Sequence, residues 1–314
     1  MNISMIVDSC CSIEPTELSR ADVIQVPHVI RINNQNRLSS DFSESEILDM
    51  YDSDFLFSDT PLVQRALTGS ELSSHLLKLA KGDTNSGICL SSSRLLGSTH
   101  TNFEAVSLQI NSQARALRQE HDNARPLLLR PYSSGNGSAG YTLTYLYIQS
   151  LIRKGNNLRE IVEELNASIT KIQTLTIIQD TSYSSIRIKE SGAFISPGDL
   201  MGTFNSQFGS NFNVSPIIKI SNNTITRVSN SGNYIKGLKK IHAILSKSIK
   251  KGLTYKVIVI LFSGNVSDIE RQDDYQSMLT AAKTHGVQII IKTMPLAAGI
   301  TLGPGALSIG MMAK

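Results

Sequence analysis

The chain has 314 residues, of which 40% are hydrophobic and 18% charged, with 3 cysteines and no tryptophan. This composition is typical of a folded globular protein and excludes disordered and collagen-like chains. No stretch is long and apolar enough to suggest a membrane span, and the first residues lack the features of a secretory signal. The length predicts two domains that share a crevice, and we expect a cytoplasmic location.

Charge is distributed unevenly along the chain. Residues 1–165 carry 14 basic and 19 acidic side chains, whereas residues 166–314 carry 16 basic and 7 acidic ones. Much of the basic excess lies between Lys236 and Lys251, where lysines alternate with leucine and isoleucine at helical spacing. This pattern predicts an amphipathic helix with a solvated face; docking of an acidic partner is the alternative. Nucleic acid binding is not expected, because the lysines are not interleaved with aromatic residues or arginines.

Short apolar runs alternate with helical segments in the first half of the chain. Strands are predicted at residues 3–7, 23–32, 87–90 and 127–129, and Pro15 and Glu17 suit the first turn of a helix. Two longer helices are predicted at residues 141–153 and 158–172. Such short, apolar strands separated by helices are typical of a parallel sheet that is covered on both faces.

The second half of the chain has a different strand pattern. Strands are predicted at residues 175–178, 216–220, 224–228, 256–262 and 287–292, with a helix near 268–284. Ser221, Asn222 and Asn223 predict a hairpin turn between two of these strands. The predicted fold class is therefore α/β, with an N-terminal domain (1–168) around a central parallel sheet flanked by helices. A second α/β domain (169–314) is predicted to hold a mixed or antiparallel sheet.

Two motifs could carry chemistry, and each has an ordinary structural interpretation. The segment GNGSAG at 135–140 fits the dinucleotide pattern, but two helices precede the next strand, so a flexible connector is favoured over nucleotide binding. Asp8 and Cys10 follow the first strand, where a nucleophilic cysteine is conceivable, yet no histidine accompanies Cys10 or Cys11 in a known signature. Buried small thiols are the favoured interpretation. The histidines show no metal-binding spacing, so no metal or cofactor is expected.

Hydroxyl groups cluster after the apolar strands. SDTP occupies residues 58–61, SSSRLLGST occupies 91–99, and the glycine-rich ITLGPGALSIG occupies 300–310. Hydroxyls and backbone N–H groups at strand-to-helix turns can hold an anion such as a carboxylate. Ordinary helix capping by serine and threonine is the alternative for either hydroxyl cluster.

Taken in order, several segments resemble the DegV family of fatty-acid-binding proteins over nearly the whole chain. The segments are IVDSCCSI at 6–13, VPHVI at 26–30, SSDFSESEI at 39–47, FSDTPLVQ at 57–64, CLSSSRLLGSTHTNFEA at 89–105, VSPIIKISNNTI at 214–225 and GITLGPGALSIG at 299–310. The resemblance implies two α/β domains with a fatty acid lying across them, its carboxylate near the junction and its tail in the second domain. It also implies, for several members, presentation of that carboxylate to a separate kinase.

The chain departs from the family pattern at four positions. Asp59 replaces a serine, Leu96 replaces the serine of a Ser-Gly-Thr element, and Thr301 replaces a histidine. Ala193 stands at an arginine position, which counts against a fatty acid kinase as partner. The head-group site is therefore expected to be weaker and less basic than in the family.

The resemblance assigns roles to individual residues. Ser58, Ser93, Ser98 and Thr301 are expected to contact the head group; Thr60, Gly97 and Gly303 to shape the turns; and Asp8 and Ser9 to brace the end of the first strand. The predicted function is non-catalytic binding of a long-chain fatty acid or similar lipid between the domains, by a monomeric carrier with no catalytic site. A regulatory or protein-interaction module that keeps the fold without a ligand is the alternative.

Overall fold

The computed structural model describes residues 3–57, 62–80, 84–119, 126–190 and 215–314. Its strands are β1 (Ile3–Asp8), β2 (Val23–Val26), β3 (Val29–Ile32), β4 (Gln35–Leu38), β5 (Leu62–Arg65), β6 (Ser86–Ser91), β7 (Leu128–Ser133), β8 (Ile172–Ile177), β9 (Ser215–Ser221), β10 (Thr224–Ser231), β11 (Leu253–Phe262), β12 (Gln288–Thr293) and β13 (Leu307–Ala313). Its helices are α1 (Pro15–Leu18), α2 (Glu44–Asp52), α3 (Gly69–Ala80), α4 (Thr99–Gln119), α5 (Ser138–Arg153), α6 (Leu158–Ser168), α7 (Thr181–Glu190), α8 (Tyr234–Lys251), α9 (Val266–Glu270), α10 (Asp273–Thr284) and α11 (Leu296–Leu302).

The first sheet is parallel throughout, with strand order β2-β1-β6-β7. Every residue of β1 and β6 is buried, because helices cover both faces of the sheet. One face packs against α3 and α4, and the other packs against α5 and α6. The predicted parallel sheet is confirmed, and its carboxyl ends lie side by side at one edge.

The apolar run at residues 23–32 forms two strands, so the prediction of a single strand is wrong. Pro27 and His28 separate β2 from β3, and β3 pairs with β4 and β5 in a small antiparallel sheet. The backbone N–H of His28 donates to the hydroxyls of Ser9 and Ser39 at 3.0 Å instead of to a strand. Since proline has no N–H to donate, the chain leaves the parallel sheet at this point.

The second sheet has the order β10-β9-β8-β13-β11-β12. Only β11 and β12 pair in parallel among these described strands, and the other neighbours are antiparallel, so the predicted mixed sheet is confirmed. Asn222 and Asn223 have φ of 47° and 56°, which fits the predicted hairpin turn. Helices α8 and α10 cover one face of the sheet, and α5 lies against the other.

Helix α5 lies between the two sheets, and 12 of its 16 residues are buried. Gly310 of β13 permits the close approach, because a Cβ there would clash with the backbone of Ala139 and Gly140. The preceding 135–140 segment is buried throughout, so the prediction of a flexible connector is wrong. Two contacts hold this turn in place. Helix α5 packs against the six-stranded sheet, and the N–H of Gly137 donates to the hydroxyl of Thr174 at 3.2 Å.

Two further helix predictions need correction. The helix predicted at 158–172 ends at Ser168, and Ile172 begins β8. The helix predicted near 268–284 is two helices, α9 and α10, separated at Arg271 and Gln272. The predicted domain boundary, between residues 168 and 169, falls where α6 ends and stays a prediction.

Within the part of the chain that the structure describes, no helix combines the length and apolar character needed to cross a membrane.

Candidate functional site

A cavity of about 120 Å³ lies between the carboxyl ends of the parallel sheet and the six-stranded sheet. Its polar wall comprises Cys10, His28, Gln64, Arg65, Ser92, Ser98, Thr99, Ser138, Thr176 and Thr301. Its apolar wall comprises Leu96, Ile178, Ile218, Ile220, Ile225 and Leu302, which pack together in one hydrophobic cluster. The two walls come mostly from different halves of the chain, so the cavity exists only where those halves meet.

The polar wall includes the start of the long helix α4. Gly97, Ser98 and Thr99 line the cavity, and Thr99 is the first residue of that 21-residue helix. The first N–H groups of a helix have no partner within the helix, and its dipole favours negative charge there. Ser98 is half-buried, and no described residue hydrogen-bonds its hydroxyl. This part of the wall is therefore suited to an anionic group.

Thr301 lies opposite, near the end of α11. Its hydroxyl donates to the carbonyl of Ala297 at 3.3 Å and accepts from Gln64 Nε2 at 3.3 Å. The Oε1 atom of Gln64 is buried without a hydrogen-bond partner among the described residues. Because an unpaired buried acceptor costs free energy, this oxygen calls for a hydrogen-bond donor such as water, and a carboxylate could not satisfy it.

Asp8 and Ser9 hold the turn that follows β1. The Oδ1 atom of Asp8 accepts from the backbone N–H of Cys10 at 2.9 Å, and the N–H of Asp8 donates to the Tyr141 hydroxyl at 2.9 Å. Ser9 Oγ lies 2.9 Å from Nδ1 of His28. The contact between Ser9 and His28 ties the turns after β1 and β2 together.

Burial is the main cause of the pKa shifts of Asp8, His28 and Cys10. It raises the pKa of Asp8 above its usual value, although the nearby His28 opposes the shift. It lowers the pKa of His28, and Asp8 opposes that shift in turn. Burial, together with Asp8, also raises the pKa of the Cys10 thiol well above its usual value. A thiol in this environment is protonated and a poor nucleophile, which argues against the cysteine chemistry considered from the sequence.

Arg65 lies at the edge of the cavity but is already paired. Its guanidinium donates two hydrogen bonds to the carboxylate of Glu71, at 2.8 Å and 3.0 Å. This pair lowers the pKa of Glu71 to about 2. The charge of Arg65 is therefore largely balanced before any ligand enters.

The structure brings only some of the predicted site residues together. Gly97, Ser98 and Thr301 line the cavity. Ser93 lies behind the wall, where its hydroxyl donates to Asn223 Oδ1 at 3.0 Å. Gly303 lies outside the wall, and the roles of Ser58 and Thr60 stay predictions because both lie outside the described residues.

The glycine turn near the end of the chain surrounds protein side chains. Gly303 and Gly305 have φ of 87° and 72°, which glycine adopts more easily than other residues. A Cβ on Gly303 would lie 2.7 Å from the ring of Tyr183, and one on Gly305 would clash with Gln179. The turn is therefore required by packing against the segment after β8, whereas the neighbouring Thr301 and Leu302 face the cavity.

His28 and Gln64 are polar wall residues that sequence reasoning missed, and Cys10 was considered only as a nucleophile. The signal for His28 is Pro27, which ends β2 beside the carboxyl end of β1. Reading 23–32 as one strand placed His28 in its middle and hid this edge position. Gln64 had no comparable signal, because β5 belongs to a small antiparallel sheet that was not predicted.

The geometry defines an α/β protein with a cavity between a parallel and a mixed sheet. The family model described as "Uncharacterised protein, DegV family" matches residues 2–314. The chain belongs to the DegV family.

Relatives and solved structures agree with this assignment. A DegV domain-containing protein of Xanthomonas axonopodis pv. citri is 20% identical over 314 residues, covering 100% of this chain and 98% of that protein. The crystal structure of DegV, a fatty acid binding protein from Bacillus subtilis, matches with a TM-score of 0.76 at 17% identity and covers 100% of both chains. A stearic acid-binding protein from Eubacterium ventriosum matches with a TM-score of 0.74 at 13% identity, covering 99% of this chain and 98% of the other. At these identities the solved structures establish the fold.

Proposed function

We propose that this protein binds a long-chain fatty acid in the cavity between its sheets, without transforming it. The observation that carries the proposal is the division of the cavity into a polar and an apolar wall. The carboxylate lies against Ser98, Thr301 and the first turn of α4, and the acyl chain lies along the isoleucines of the six-stranded sheet. The two solved relatives described above, which are described as binding fatty acids, support the same ligand class.

The acyl chain supplies most of the affinity in this proposal. Each buried methylene contributes about 0.8 kcal/mol, so every four methylenes that pack against the apolar wall give roughly 3 kcal/mol before ordering costs. Each neutral hydrogen bond to the head group adds only about 1 kcal/mol. The polar wall therefore sets the orientation of the ligand, and the apolar wall holds it.

Our proposal includes a carrier role, which the chemistry of the polar wall supports. The polar wall offers hydroxyls and backbone N–H groups, and its thiol is kept protonated by burial. Release to an acceptor, in the cytoplasm, is the step that such a protein serves. The expectation that Ala193 counts against a kinase partner stays a prediction, because Ala193 lies outside the described residues.

The direct test is to denature the purified protein, extract it with organic solvent and identify bound fatty acid by mass spectrometry. We expect close to one fatty acid per chain. The delipidated protein should rebind long-chain fatty acids and become more stable to heat. An empty extract together with no thermal shift would contradict the proposal and favour a ligand-free interaction module.

A matched pair of variants on β10 locates the site. Ile225 belongs to the apolar wall, whereas Val228 is 44% exposed on the same strand. Ile225→Asp should abolish fatty acid binding, since a carboxylate would replace an apolar contact to the tail. Val228→Asp should bind like the natural protein. Equal affinity in both variants would place the ligand elsewhere.

A further inference from the structure

Three potential metal ligands meet at the carboxyl ends of β1 and β2. Asp8, Cys10 and His28 each place one ligand atom so that all three atoms lie within 4.8 Å of one another. Asp8 is 1% exposed and His28 is 5% exposed, while Cys10 and His28 both face the cavity. The spacing along the chain does not suggest such a site, because His28 comes from a different strand end.

Each of the three residues has a ligand atom to spare. Asp8 uses Oδ1 to accept the N–H of Cys10, but its Oδ2 atom is buried with no hydrogen-bond partner among the described residues. His28 is held through Nδ1 by Ser9, which leaves Nε2 available. Cys10 is a free thiol. A hydrogen bond to the second ring nitrogen is also what commonly orients a metal-binding histidine.

We propose that Asp8, Cys10 and His28 bind a zinc ion at the polar wall of the cavity. Zinc accepts mixed oxygen, sulfur and nitrogen ligands, and three protein ligands leave a fourth position open. Here that position faces the cavity, because Cys10 and His28 line it. The softness of thiolate and imidazole disfavours magnesium and calcium at the same place.

A divalent cation would balance the charge of this ligand set. One carboxylate, one thiolate and a neutral imidazole carry two negative charges, which a divalent ion neutralises. Metal coordination deprotonates a thiol outright, and zinc binding should therefore release protons.

A zinc ion at this position would also provide a positive charge for the carboxylate of a bound fatty acid. This second part of the proposal rests on the proposed function. Within the described part of the cavity lining, the guanidinium of Arg65 is already paired with Glu71. Zinc would make up for this shortage of positive charge. Zinc binding itself can be measured with no fatty acid present.

The test measures zinc binding to the full chain after removal of metal with a chelator. Competition with a chromogenic zinc chelator should give one site per chain. Cys10→Ala and His28→Gln should each weaken zinc binding by more than about 100-fold, since losing an outer-shell partner alone costs about 10- to 100-fold. Cys11→Ala and Cys89→Ala, whose thiols lie outside the cluster, should bind zinc normally.

Cobalt(II) substitution gives a readout that a merely structural role would not change. The cobalt protein should show a thiolate-to-metal charge-transfer band that Cys10→Ala loses and Cys11→Ala keeps. Circular dichroism of each variant checks that it is folded. No zinc binding by the natural protein, or equal binding by folded Cys10→Ala, would overturn the site.

The effect of zinc on fatty acid binding is tested separately. Zinc should raise the affinity for a long-chain fatty acid in the natural protein and have no effect in Cys10→Ala. If zinc binds but no fatty acid does, the metal site stands and the proposed function fails.

Discussion

At the residue scale, one buried hydroxyl joins the strand ends that form the polar wall. The hydroxyl of Tyr141 accepts from the N–H of Asp8 at 2.9 Å and donates to the carbonyl of Leu90 at 2.7 Å. Tyr141 belongs to α5, so these two bonds fix the helix between neighbouring strands of the parallel sheet. The loop positions of Cys10 and Ser92, which line the cavity, depend on this arrangement.

Tyr141→Phe should therefore destabilise the protein measurably. Removing the hydroxyl leaves a buried N–H and a buried carbonyl unpaired, and each such group costs about 1–3 kcal/mol. Urea unfolding followed by circular dichroism measures the loss. Tyr132→Phe is the control, because among the described residues its hydroxyl bonds only the side chain of the exposed Asn166, at 3.2 Å. An equal decrease in unfolding free energy in the two variants would contradict a particular stabilising role for the two Tyr141 hydrogen bonds.

Residues of the candidate site could be predicted from the sequence only where a motif shows where a strand of the parallel sheet ends. Ser98 and Gly97 follow an apolar strand, and the order of such turns identifies one edge of a parallel sheet. Ser93 lies in the same motif, but its hydroxyl bonds Asn223 from the other half of the chain. No local pattern reveals a contact between residues so far apart, so Ser93 could not be distinguished from Ser98.

At the element scale, α3 begins with a charged cap that depends on pH. Glu71 accepts from the N–H and hydroxyl of Thr68, both at 2.8 Å, and pairs with Arg65. These contacts lower the pKa of Glu71 to about 2, below its usual 4.5. A lowered pKa means that the carboxylate stabilises the folded state above the ordinary pKa, and that this contribution disappears as the pH falls through the folded value.

Glu71→Gln should consequently cost about 1 kcal/mol of unfolding free energy near neutral pH, a value kept small because both side chains are partly exposed. The difference from the natural protein should shrink as the pH falls from about 4.5 towards about 2. Chemical denaturation at several pH values measures it. Glu163→Gln removes a surface pair on α6 and should show almost no effect. A Glu71→Gln difference that is independent of pH would contradict the assignment.

Strand β13 and helix α5 meet at a position that admits only glycine. A Cβ on Gly310 would clash with the carbonyl of Ala139, and backbone on both sides leaves no side chain to rotate away. Gly310→Ala should therefore cost about 1–3 kcal/mol or prevent folding. Gly232→Ala is the control, because a Cβ there meets nothing within 4 Å. Comparable stability of the two variants would mean that α5 and β13 can move apart.

Elements were predictable where the pattern is local and continuous. The apolar strands β1, β6 and β11 and the lysine-rich helix α8 follow directly from their spacing. Strand β13 was not predicted, because the glycine-rich segment at 300–310 overlaps its start, and such a segment is typical of a turn that contacts a ligand. It nevertheless lies between β8 and β11, and both of its partners pair with it across long sequence separations. Pairing of this kind is decided by the whole sheet and not by the segment itself.

At the scale of the whole molecule, the cavity joins the two halves of the chain. Strand ends of the parallel sheet supply most of the polar wall, and the six-stranded sheet supplies most of the apolar wall. Helix α5 fixes their separation, since it packs on both sheets. A ligand that fills the cavity therefore contacts both halves at once, and its binding should stabilise the entire fold rather than one loop.

Affinity for fatty acids should consequently rise with chain length until the apolar wall is fully covered. A buried methylene contributes about 0.8 kcal/mol, so each added carbon should lower the Kd by about fourfold. Titration of the delipidated protein with saturated fatty acids of about ten to about eighteen carbons measures the slope and the length at which it ends. Fatty alcohols of equal length serve as the control, because they keep the tail and lack the carboxylate. A flat dependence on length would show that the head group, and not the tail, holds the ligand, which would reverse the roles assigned to the two walls.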